Sequence, residues 1–129
     1  MSYHIFVTKE SRANERRVAL TPEDTAQLIR QGHQVTVEHH AGIHAGFSNN
    51  AYQAAGAKIK VIETSHLSSY REAFKNINLI VRAKRPDHIR EQLELQAIQP
   101  QTIMIGALDP LEKNTLHIKA YHAADINVS

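Results

Sequence analysis

The chain contains no cysteine. That excludes a disulfide framework and any thiolate metal site, and it fits a reducing compartment. It also lacks a long apolar run. Met1 to Glu10 has no stretch of signal-peptide length, and nothing approaches the ~20 apolar residues that span a bilayer, so neither secretion nor membrane insertion is expected. A cytoplasmic location follows as the expectation. A dominant charge is missing too, since 15 Lys and Arg face 13 Asp and Glu and no dense basic run interleaves with aromatics. Nucleic acid is therefore not an expected partner. With 42% hydrophobic and 22% charged residues, the composition is that of an ordinary globular protein. At 129 residues there is room for one domain, which would bury about two thirds of its unfolded surface.

Tyr3 to Thr8 alternates around Ile5 and Val7 and reads as a strand. After a polar loop, Thr21 is a good N-cap and Pro22 suits the first helical position. Glu23 and Asp24 place negative charge where the helix dipole favours it. The helix turns Ala26, Leu28 and Ile29 to the core and stops at Gly32. His33 to His40 is a second strand around Val35 and Val37. Ala41 to Phe47 is a loop, Ser48 caps a short helix ending at Gly56, and Lys58 to Ile62 is a short strand. Tyr70, Ala73, Phe74 and Ile77 share one helical face. Leu79 to Val81 does not alternate, as expected of a parallel strand buried on both sides. Pro86 breaks the chain before a helix with Ile89 and Leu93 on one face, and Thr102 to Leu108 is another strand. Asp109 and Pro110 open a last helix to about Ala123, and Ile126 to Val128 begins a further strand. This alternation predicts a single-domain α/β fold: an open, mostly parallel sheet with helices on both faces, Rossmann-like or flavodoxin-like, in three layers.

No dinucleotide fingerprint is present, and Gly42 and Gly46 read as turn glycines with no following Lys-Ser or Lys-Thr pair. Among nine histidines only His39, His40 and His44 lie close together, without a carboxylate at ligand spacing, so no metal site is expected. His117 and His122 are five apart, off one helical face. No serine or histidine sits in a nucleophile-elbow context. Two cations are better placed, because ligands of open parallel sheets bind outside the carboxyl ends of the strands. Arg17 lies in the loop after the first strand, and Lys84 lies at the exit of the strand Leu79 to Val81. Solvated surface cations are the competing reading for both.

The segment Lys9-Glu10, Asn14-Glu15, Arg17-Val18-Ala19-Leu20-Thr21-Pro22, then Leu28 and Gly32-His33, resembles the N-terminal signature shared by alanine dehydrogenase and the alpha subunit of nicotinamide nucleotide transhydrogenase. Thr8 replaces the proline usual before the Lys-Glu pair. The resemblance runs on through Val35 to Glu38, Ala41-Gly42, Gly46-Phe47-Ser48, Tyr52, Ala54 to Ala57 and Leu79 to Pro86. It implies the first of two α/β domains flanking an active cleft. NAD(H) is then held mainly by a second domain that this sequence does not match, so the chain is similar to a fragment with little activity alone and no cofactor of its own. The implied partners are that C-terminal NAD-binding domain, a transhydrogenase beta subunit or NADP-binding component, and a second copy in a homodimer. Partner subunits would make the protein peripheral at the inner membrane.

By the same resemblance Arg17 and Lys84 match the substrate-binding arginine and lysine of the dehydrogenase signature. A guanidinium grips a carboxylate through two parallel hydrogen bonds, and an ammonium polarises a carbonyl as a point charge. The dehydrogenases also carry a catalytic histidine at the end of the strand matching Thr102 to Leu108. This sequence has no histidine between His88 and His117, and Gly106-Ala107-Leu108 is similar to transhydrogenase alpha subunits. The transhydrogenase is therefore the favoured branch, with its hydride transfer between NAD(H) and NADP(H) coupled to proton translocation. The alternatives are an alanine dehydrogenase and a non-catalytic domain of the same fold. No catalytic residue is assigned.

Overall fold

The computed structural model describes residues 2–107 and 127–128. In chain order it holds β1 (His4–Val7), α1 (Pro22–Arg30), β2 (Gln34–Glu38), a 3-10 turn (Ile43–Ala45), α2 (Asn49–Ala54), β3 (Lys58–Lys60), α3 (Leu67–Phe74), β4 (Leu79–Lys84), α4 (His88–Ala97), β5 (Ile103–Ala107) and β6 (Asn127–Val128). All the strands are parallel and run in the order β3-β2-β1-β4-β5-β6. That is the Rossmann order and not the flavodoxin-like one, because β1 pairs with both β2 and β4. The alternating, mostly parallel sheet expected from the sequence is present, and the choice between its two variants falls to the first.

Local chemistry sets the helix starts. Thr21 closes a capping box: its hydroxyl accepts the Asp24 amide at 3.1 Å, and the Asp24 carboxylate accepts the Thr21 amide at 3.2 Å. Pro22 occupies the first turn, where no amide is needed. Ser48 caps α2 through the Ala51 amide, and Asp87 caps α4 through the Arg90 amide. Gly32, one residue past the C-cap of α1, has φ +98°. Gly42 is required for a different reason: a Cβ there would lie 2.7 Å from the Tyr52 ring. The ring is fixed in turn by its hydroxyl, which donates to the Leu20 carbonyl at 2.8 Å.

Strand alternation divides the core in two. Ile5, Val7, Val35, Val37, Leu79 and Val81 face α1 and α2, with Leu28 and Ile29 packed on them. Phe6, Ile80 and Met104 face α3 and α4, meeting Tyr70, Ala73, Phe74 and Ile77. Among the described residues no helix is long and apolar enough to cross a membrane.

Some sequence expectations need correction. Ile89 is 73% exposed, and α4 instead buries Arg90, Glu91, Glu94 and Ala97. The cause is a set of ion pairs that bind that face of α4 to the sheet. In α1 the buried residue is Thr25, whose hydroxyl donates to the Thr21 carbonyl at 2.9 Å, while Ala26 is only half-buried. β2 stops at Glu38 because His40 turns to φ +63°, and β3 ends at Lys60 with Ile62 buried beyond it. Leu108 and the helix from Asp109 to Ala123 lie outside the described residues, as does Ile126.

Candidate functional site

β1 and β4 are neighbours, and the chain leaves them toward opposite edges of the sheet. Such a switch point leaves a crevice beyond the strand ends, where neither connecting segment covers the edge. The loop from β1 to α1 carries Glu10, Glu15 and Arg17 to this crevice, and Lys84 ends β4 beside it. The two cations singled out in the sequence are thus brought to one end of the sheet.

Arg17 lines an open cavity of about 530 Å³ whose other walls include Ile5, Leu20, Leu28, Val81 and Ile105. Its side chain is 68% exposed and its guanidinium already engaged, with Nη2 donating to Glu15 Oε1 at 2.6 Å and Nε to Oε2 at 3.0 Å. Glu15 also accepts the Arg17 amide at 3.0 Å. These bonds to Arg17, helped by the charge of Lys84, hold the Glu15 carboxyl at about 2, and Glu15 in return raises Arg17. Glu15 therefore sits within electrostatic reach of both cations. Any anion binding Arg17 through the same fork has to displace it. Lys84 is exposed and its neighbour Ala83 lines the cavity, so only Arg17 of the pair reaches the cavity wall.

Residues missed by sequence reading lie beneath this surface. Glu38 at the end of β2 takes Arg90 Nη2 at 2.6 Å and Nη1 at 3.0 Å. Arg90 Nε reaches Glu94 at 2.6 Å, and Glu94 accepts Arg82 of β4 through its other oxygen. Arg85 pairs with Glu91 at 2.9 Å. Burial alone would push the Arg90 guanidinium down, but Glu94 and Glu38 outweigh it and hold it above its usual range. Arg90 also lies over the Tyr70 ring, 5.5 Å from its centroid. Gly106 of β5 makes room for this network, since a Cβ there would stand 2.6 Å from the Arg82 Cγ. One signal in the sequence could have found it: Arg90, Glu94 and Ala97 have the i, i+4, i+7 spacing of a buried stripe.

The His39 and His40 rings stack at 3.7 Å, and burial, His39 and Lys9 together lower His40. Among the described residues no group of three or more His, Cys, Asp or Glu is placed to hold a metal ion. In the first strand-to-helix turn residues 8–21 contain no glycine, the residue that lets a backbone approach a pyrophosphate closely. The strand order is that of a nucleotide-binding fold.

Residues 6–129 match the family model described as alanine dehydrogenase/PNT, N-terminal domain. The chain belongs to this family. It is 56% identical over 55 residues to the alanine dehydrogenase of Bacillus subtilis, covering 43% of this chain and 15% of that protein. Over 104 residues it is 36% identical to alanine dehydrogenase 1 of Staphylococcus aureus, covering 81% of this chain and 24% of that one. Among solved structures, the transhydrogenase from Sinorhizobium meliloti superposes with a TM-score of 0.80 at 27% identity, covering 96% of this chain and 33% of that one. An L-alanine dehydrogenase gives 0.76 at 26%, covering 99% and 31%. The chain thus spans no more than about a third of any of these four. Family members are oxidoreductases of two kinds, and both are represented.

Proposed function

We propose that this chain is the N-terminal domain of a transhydrogenase alpha subunit, part of an enzyme that moves hydride between NAD(H) and NADP(H) and couples this to proton translocation. The observation that carries the reading is the wall of the switch-point cavity. β5 contributes Ile105, 45% exposed, and among the described residues that line the cavity none is a histidine, a carboxylic acid or another proton donor titrating near neutrality. Reductive amination needs such a donor to protonate the developing alkoxide or amine, whereas hydride exchange between two nicotinamides does not. The nicotinamides carry the chemistry, and this domain supplies an apolar wall that excludes water, edged by Arg17.

In this reading the NAD(H) site lies mainly in a further domain of the natural protein. The partners are that domain, an NADP-binding component and a second copy of the protein, in the cytoplasm against the inner membrane.

A second reading, alanine dehydrogenase, is favoured by one observation: Arg17 and Lys84 flank the switch point together, and both act on the same carboxylate, Glu15. There Arg17 would take the substrate carboxylate in place of Glu15, and Lys84 would polarise the carbonyl.

Assays on the intact natural protein separate the two. The first reading expects reduction of an NADP analogue by NADH and no alanine-dependent reduction of NAD. It also expects Lys84→Ala to keep the transhydrogenase rate within about tenfold, less than about 1.4 kcal/mol. Robust alanine oxidation, abolished by Arg17→Ala or Lys84→Ala, would establish the dehydrogenase instead.

A further inference from the structure

We propose that Glu10 is a positioning residue of the switch-point site: its carboxylate fixes the exit of β4, and with it the place of Lys84 relative to the loop bearing Arg17. The proposal rests on the Arg17 and Lys84 placement described above and names the group that sets their spacing.

Backbone pairing between β1 and β4 ends early. Val7 is opposite Val81, and the Thr8 amide makes the last backbone bond, to the Val81 carbonyl at 3.2 Å. On the other flank the register of β4 against β5 shifts between Val81 and Lys84. The end of β4 therefore projects beyond its ladder on the β1 side. Glu10 takes the place of a strand there: Oε2 accepts the Ala83 amide at 3.0 Å and Oε1 accepts the Lys84 amide at 2.8 Å. Bonds to an ionised acceptor are about twice as strong as neutral ones.

The same loop is anchored on its opposite side, where the Lys9 amide donates to Glu38 Oε1 at 2.8 Å. Further along, Arg12 Nε donates to the Arg85 carbonyl at 3.0 Å, and the Asp87 amide donates to Ser11 Oγ at 3.0 Å. Of these contacts, those of Glu10 alone fall on Lys84 itself. Burial pushes the half-buried Glu10 carboxyl up, against the pull of the two amides and Arg82, so it is held by a few specific bonds and not by bulk solvent.

The test compares Glu10→Gln with the unaltered full natural protein by amide hydrogen exchange and by calorimetric titration with oxamate, a small carboxylate. Glutamine keeps the shape but loses the charge and turns an NH2 group toward one of the amides. Exchange at Ala83 and Lys84 is expected to accelerate about tenfold or more. The Thr8 and Ile103 amides, which donate to the backbone carbonyls of Val81 and Asn78, keep their protection. Where Arg17 and Lys84 hold a carboxylate, as the dehydrogenase reading has it, the oxamate Kd rises about tenfold with Tm nearly unchanged. Unaltered exchange at residues 83 and 84 would overturn the proposal, and so would acceleration of all four amides together, since that marks a merely structural role. An unaltered protein that does not bind oxamate would overturn the dehydrogenase reading of Arg17 and Lys84 alone, and the exchange pattern would still decide the role of Glu10.

Discussion

Glu94→Ala is expected to lower the stability of the fold by about 3–5 kcal/mol, the range for removing one partner of a buried ion pair. Glu94 is completely buried and serves two cations, Arg82 through one oxygen and Arg90 through the other. Arg90 keeps Glu38 after the substitution. Arg82 has no such reserve, because its Nε already lacks a hydrogen-bond partner. Its guanidinium would be left buried beside Gly106 without its ion-pair partner, only the more distant Glu10 remaining in electrostatic reach, and domains of this kind are stable by only about 5–15 kcal/mol in total. Urea unfolding measures the loss. A change under about 1 kcal/mol would mean that water reaches the pair and that the network does not hold α4 to the sheet. A Glu94→Leu, Arg82→Met double variant is expected to recover much of the loss, since it removes the stranded charge along with its partner.

Phe74→Ala should cost a similar amount, about 3–5 kcal/mol, for an unrelated reason. The Phe74 ring is buried and stands edge-on to Phe6, with centroids 5.2 Å apart and planes at 86°. Truncation removes the transfer energy of the ring, opens a cavity between α3 and the sheet, and deletes an aromatic pair worth about 0.5–1.5 kcal/mol. A cost for Phe74→Ala below about 1.5 kcal/mol in the same urea experiment would show that the α3 face repacks freely.

These two positions mark what was legible in the sequence. Tyr70, Ala73 and Phe74 announce their face by helical spacing, and the structure buries all three. The Thr21 cap, the Gly32 stop and the unbroken Leu79-Ile80-Val81 run were equally readable, because each follows from a local rule of backbone or burial. Glu94 was not. A pattern that sorts residues into apolar and polar places charges at the surface, and so it turned Ile89 and Leu93 inward and passed over Glu94. Glu94 is buried and Ile89 exposed because Arg82 and Glu38 end up on the α4 face of the sheet, a fact of strand register that no segment carries by itself.

The site divides the same way. The placement of Arg17 in the loop after β1 and of Lys84 at the end of β4, at one end of the sheet, could be read from the strand order and the family signature. That Glu15 occupies Arg17, and that Glu10 stands in for a strand beside Ala83 and Lys84, depend on how the β1 exit loop folds over β4. Both carboxylates are visible in the signature as letters, but their partners are a guanidinium two residues away and amides more than seventy residues away.

The most direct test of the proposed reaction follows the hydride itself. The intact protein, with its NADP-binding partner, is given NADH carrying deuterium at C4, together with an NADP analogue, pyruvate and ammonium in one vessel, and the products are read by mass spectrometry. The transhydrogenase reading predicts that the deuterium appears in the reduced NADP analogue and that alanine stays unlabelled. Deuterium on the α-carbon of newly formed alanine, with the NADP analogue left unreduced, would contradict it.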